Sequence, residues 1–147
     1  MTRPRSIFAL MMAFLMAFLV SCSSVEAKVP TTYTAAQIQQ IQRSVPTLTE
    51  LRSRMDKLGT LIQKRNWVDT RTYIHGPLGE LRSAMRTVSG SLLPKAQEQA
   101  VDLTKSLFAD LVEIDNAAKA ADYAKITASY RKAVNDFDTF LQLIPKA

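Results

Sequence analysis

Apolar residues recur at steps of three and four through four stretches of this chain, and Gly76-Pro77 cuts the second of them. That spacing is one face of a 3.6-residue helix. No segment sustains the period-two alternation of a half-buried strand. The interrupted stretch begins at Trp67 as an amphipathic helix and meets the Gly-Pro pair, which kinks or interrupts a helix. It resumes through Leu78, Leu81, Met85, Val88 and Leu92. One helical stretch precedes it and two follow. The pattern predicts an all-α chain: an up-down-up-down four-helix bundle with a kinked second helix, preceded by a signal peptide and a flexible tether.

Local signals place the ends of these helices. Thr34-Ala-Ala-Gln37 has the form of a capping box opening a short helix through Ile38 and Ile41, which Pro46 stops. Thr47-Leu-Thr-Glu50 offers a second cap of the same kind. The first long helix is then expected from about Leu48 to Lys64, with Leu48, Leu51, Met55, Leu58 and Ile62 on one stripe. Gly59 inside it costs about 1 kcal/mol relative to Ala, so another helix is expected to approach closely there. Asn66 caps the second helix, which ends near Ser89-Gly90-Ser91.

Pro94 suits the first position of the third helix, which turns Ala96, Ala100, Leu103, Leu107, Leu111, Ile114 and Ala118 inward. Beyond a link near Ala120-Ala121-Asp122, the fourth presents Tyr123, Ile126, Tyr130, Ala133, Phe137, Phe140 and Ile144 on one face. Pro145 closes it. Connections this short join antiparallel neighbours. The chain therefore divides into a leader at 1–21, a tether with a short helical segment at 22–46, and the bundle at 47–147.

The leader carries Arg3 and Arg5 and then an apolar run from Ile7 to Val20. As a helix that run spans about 21 Å, short of the roughly 30 Å hydrocarbon core of a bilayer. Arg3-Pro4-Arg5 is not a twin-arginine pair, so the general secretory route is expected. The run ends Leu19-Val20-Ser21-Cys22, which resembles the bacterial lipobox and implies a diacylglycerol thioether on Cys22 with cleavage before it. The other reading is ordinary signal cleavage after Ala27, in the small-x-Ala sequence Val25-Glu26-Ala27. Cys22 is the one cysteine, so neither route leaves a thiol pair for a disulfide. The stretch Ser23 to Tyr33 lacks periodicity and reads as a tether reaching about 36–40 Å when extended.

Without residues 1–21 the chain has 17 basic and 13 acidic side chains. Residues 22–92 hold ten basic and five acidic groups, while residues 93–147 hold seven and eight. The first half therefore offers the more positive surface, suited to an acidic protein face or an anionic membrane. Arg52, Lys64, Arg65, Arg71, Arg82 and Arg86 are its candidate docking face. A solvated helix face rich in Arg is the plainer reading of the same residues. No aromatic-plus-basic motif points to nucleic acid.

Signals for catalysis are absent from the sequence. Gly76-Pro77-Leu78-Gly79 lacks the Lys-Ser/Thr and the preceding strand of a phosphate loop. His75 is the single histidine, with no His-x-x-x-His or Glu-x-x-His pair to hold a catalytic metal in a bundle. Asp136 and Asp138 stand two apart on a helix and point to different faces. Asp110 and Glu113 share a face, as many solvated acids do. No enzyme and no cofactor beyond the lipid are expected. His75 reads as a helix-end group hydrogen-bonded near the break, with a partner contact or a surface metal ligand as alternatives. Trp67 reads as a bundle plug, with a binding site as its alternative.

Trp67, followed by Tyr73-Ile74-His75-Gly76-Pro77-Leu78-Gly79-Glu80-Leu81 and then Ser91-Leu92-Leu93-Pro94, resembles the PsbQ family of photosystem II extrinsic proteins. The ending Tyr130-Arg-Lys-Ala-Val-Asn-Asp136-Phe137-Asp138-Thr-Phe140-Leu141, with Ile144-Pro145, resembles the same family's last helix. The lipobox-like Cys22 is similar to its cyanobacterial lipoprotein branch. Plant members carry a longer organelle-targeting leader and a Pro-rich N-terminal region that is largely missing here. The resemblance implies a lipid-anchored bundle on the lumenal side of the thylakoid membrane, a monomer when free. Its partners would be the photosystem II core and its other extrinsic subunits. The implied role is to stabilise the oxygen-evolving cluster and its calcium and chloride supply without binding the cluster. A lipoprotein bundle serving as chaperone or assembly factor for another partner is the alternative.

Overall fold

A computed structural model describes residues 31–146; the leader, Cys22 and the tether up to Pro30 lie outside them. Six helices and no strand form the described residues. They are α1 (Ala35–Gln42), α2 (Val45–Gln63), α3 (Trp67–His75), α4 (Leu81–Ser89), α5 (Pro94–Lys119) and α6 (Tyr123–Gln142). Helices α3 and α4 are the two halves of one broken rod, so α2, α3–α4, α5 and α6 make a four-helix bundle. Helix α2 packs on α3, α4 and α6, and α5 packs on the same three helices. Each rod thus meets its two neighbours around a square, and the contact of α6 with α2 closes the ring.

The caps explain most of the helix ends. Thr34 and Gln37 form the reciprocal box, with Gln37 N–H donating to Thr34 Oγ1 at 3.2 Å and Thr34 N–H to Gln37 Oε1 at 2.9 Å. Asn66 Oδ1 accepts from Asp69 N–H at 3.2 Å at the start of α3, and Asp122 Oδ1 accepts from Lys125 N–H at 3.0 Å at the start of α6. The expected box at Thr47–Glu50 does not form. Helix α2 begins at Val45, upstream of it, behind Ser44, which makes no side-chain cap. The reason is Pro46: its missing N–H and fixed φ fit a first helical turn, so the helix starts around the proline rather than after it. Within that turn Thr49 Oγ1 donates back to the Val45 carbonyl at 3.0 Å.

The core holds the predicted stripes. Leu48, Leu51, Met55, Leu58 and Ile62 of α2 are buried, as are Leu78, Leu81, Met85, Val88 and Leu92 of the second rod. Facing them are Ala100, Leu107, Leu111, Ile114 and Ala118 of α5 and Ile126, Ala133, Phe137 and Phe140 of α6. Ala96, Leu103, Tyr123, Tyr130 and Ile144 pack on this core half-buried. Ile41 brings α1 into the same cluster.

The helix approach expected at Gly59 is made by Tyr130 of α6. A Cβ on Gly59 would lie 2.6 Å from Tyr130 Cζ, inside any real contact distance. Only the absent side chain lets the ring tip reach α2, where its hydroxyl donates to the Met55 carbonyl at 3.0 Å. At one end of the bundle the chain enters and leaves together. The Tyr33 hydroxyl accepts from Leu93 N–H at 3.1 Å, and Gln42 Nε2 donates to the Pro145 carbonyl.

Candidate functional interface at the helix break

The break is a built turn. Helix α3 stops at His75, and Gly76 caps it with φ −96° and ψ −90°. Gly79 N–H then donates to the Gly76 carbonyl at 2.9 Å, and Leu81 N–H to the Leu78 carbonyl at 3.1 Å. Leu78 is 1% exposed and drives the turn into the core from inside. From outside, Arg54 Nη1 donates to the Pro77 carbonyl at 2.8 Å and to Glu80 Oε1 at 2.7 Å. Pro77 removes a helical donor at the point where the ladder is already open.

Beside this turn, between the second rod and α5, lies a groove of about 450 Å³. Ile74, Leu78, Phe108, Leu111 and Val112 give it an apolar lining, while His75, Arg82 and Asp115 supply its polar atoms. The Arg82 guanidinium stacks 3.8 Å above the Phe108 ring. A second, more open depression lined by Val68, Arg71, Thr72, His75 and Gly76 adjoins it through His75. Val68 is 74% and Val112 58% exposed.

Asp115 of α5 organises the polar side of this surface. Its side chain is 13% exposed and gathers Arg71 Nε at 3.1 Å, His75 Nε2 at 3.1 Å and Lys119 Nζ at 3.2 Å. Burial alone raises a carboxyl pKa, but hydrogen bonds from Lys119, His75 and Arg71 outweigh it and hold Asp115 below the ordinary carboxylate range. His75 is the last residue of α3, and its partner is a carboxylate on another rod. Among the described residues no three His, Cys, Asp or Glu side chains gather closely enough to hold a metal ion.

The six candidate cations do not share one face. Arg71 and Arg82 flank the break on the α5 side, with Arg86 exposed one turn beyond Arg82 on α4. Arg52 turns the other way, toward α6, where Nε donates to Asp138 Oδ1 at 2.6 Å, while Nη1 donates to Asp56 of its own helix at 2.7 Å. Its hydrogen bond to Asp138 raises its pKa against the effect of burial. Lys64 is exposed at the end of α2. Arg65 stacks 4.7 Å from the Tyr123 ring centroid. Trp67 is half-buried on the core at the start of α3, with its ring 6.3 Å from that of Tyr123. Tyr73 likewise packs on the core half-buried.

Asp115, Phe108 and Val112 escape a reading by periodicity. Asp115 did carry a signal: it follows Ile114, four residues after Leu111 and four before Lys119, an acid on the edge of an apolar stripe. Its partners Arg71 and His75 are 44 and 40 residues away, so nothing local names them.

No described helix is long and apolar enough to cross a membrane. Residues 2–145 match the PsbQ family, described as oxygen evolving enhancer protein 3. The chain is also 45% identical over 148 residues to CyanoQ of Synechocystis sp., covering 100% of this chain and 99% of that relative. With a family match over nearly its whole length and a full-length relative at that identity, this chain belongs to the PsbQ family of photosystem II extrinsic proteins.

Proposed function

We propose that this chain is a lumenal subunit of photosystem II that stabilises the oxygen-evolving complex by slowing its loss of calcium and chloride, with no catalysis of its own. The observation that carries the reading is the full-length family match. The lipobox-like Cys22 supports a lipid anchor at the thylakoid membrane. Confinement to that surface raises the effective concentration of the domain for a weak partner. A rigid bundle laid on a large complex can exclude solvent and impede ion escape through coverage alone.

Docking falls to the cationic side of the second rod, where Arg71, Arg82 and Arg86 stand. Arg52, already spent on Asp138 and Asp56, faces away from it. Reversing Arg82 and Arg86 to Glu weakens binding to isolated photosystem II and reduces its salt sensitivity, measured as retention across a salt series. The functional test is oxygen evolution by complexes stripped of this subunit, in medium limiting in calcium and chloride. Adding the protein back restores activity there and changes little in replete medium. Equal activity with and without it in limiting medium contradicts the ion-retention role.

A further inference from the structure

We infer that the groove at the helix break is a socket for one apolar side chain of a protein partner, presented from an acidic stretch of that partner's surface. The inference rests on the extrinsic-subunit reading and adds the chemistry of the contact.

Three observations meet at this place. The first is exposed apolar surface: among the described residues only Val68, Val101 and Val112 are exposed large hydrophobics, and two of the three border the break. Val112 lines the groove, Val68 the adjoining depression, and His75 joins the two. The second is charge. Arg82 and Arg86 take part in no ion pair among the described residues, in contrast with Arg52 and Arg54. Asp115, the acid at this surface, is already matched by Arg71 and Lys119. The surface around the groove therefore carries net positive charge with two exposed, unpaired guanidiniums, and its complement is a carboxylate.

The third is shape and rigidity. The Arg82 guanidinium lies over the Phe108 ring at the groove wall, 3.8 Å from its centroid. Leu78 and Arg54 fix the turn that forms the wall. A preformed apolar pocket with a stacked guanidinium on its wall is the form of an interface anchor site, where one buried side chain carries much of the binding. A concave socket flanked by two valines fits an inserted side chain better than a flat lipid surface, which favours a broad apolar face.

The test compares Val112→Glu with Val101→Glu. Both are exposed valines on α5, eleven positions apart, but only Val112 lines the groove. Binding of the full chain to photosystem II depleted of it is measured in detergent, alongside binding to vesicles of phosphatidylglycerol. Circular dichroism confirms that both variants stay helical. The expected result is a loss of about tenfold or more for Val112→Glu, near wild-type binding for Val101→Glu, and no difference between the variants on vesicles. Equal binding of Val112→Glu and wild type overturns the socket, as does an equal loss in both variants. A defect of Val112→Glu confined to vesicles also overturns it, in favour of lipid. If wild type itself does not bind the complex, the extrinsic-subunit reading fails instead.

Discussion

Gly59 and Asp115 show how single positions carry this fold. Gly59→Ala gains about 1 kcal/mol of helix propensity but forces Tyr130 away and breaks its bond to the Met55 carbonyl. Crowding of this kind costs about 1–3 kcal/mol, so the variant is expected to be net destabilised in urea unfolding. Asp115→Asn leaves Arg71, His75 and Lys119 around a neutral group and costs about 1–3 kcal/mol at neutral pH. The pH dependence follows from the depressed pKa. Stability from this carboxylate is fully present above the ordinary Asp value of about 3.9 and is lost as pH falls through its lower native value. Urea midpoints of wild type and Asp115→Asn therefore separate at pH 7 and converge on acidification. A gap that persists or widens in acid contradicts the assignment.

At the scale of elements, the stripes were legible because burial on one helix face imposes a period that any reader of the chain can count. Leu78 through Leu92 fell on the core as their spacing required, even though Leu78 sits in the turn and not in a helix. Helix starts were less legible: Pro46 moved the beginning of α2 upstream of a plausible capping box that never formed. The placement of the candidate docking cations was least legible, since charge counts along a sequence do not say which seam of a bundle an Arg enters. Arg52 joins α6 and Arg71 joins α5, on opposite sides, through partners 86 and 44 residues away. The break itself yields a prediction at this scale. Leu78→Ala removes its internal pin and costs about 2–5 kcal/mol. Pro77→Ala leaves the carbonyl that Arg54 holds and is expected to cost under about 1 kcal/mol. Denaturant unfolding of the two variants should rank them in that order.

Across the whole molecule, the chain enters at the end where Tyr33 meets Leu93 and Gln42 meets Pro145. A lipid on Cys22 would leash the bundle from that end, while the break lies partway along its side, free to face a neighbour in the same membrane. Together these features support one proposal: a family member that works by being held against photosystem II. The most direct measurement is affinity purification through this protein from detergent-solubilised thylakoids, with mass analysis of its N-terminal peptide. Photosystem II subunits are expected to co-elute, and the peptide to begin at Cys22 carrying acyl chains. Recovery of the protein without photosystem II, as an unlipidated chain beginning after Ala27, would contradict it.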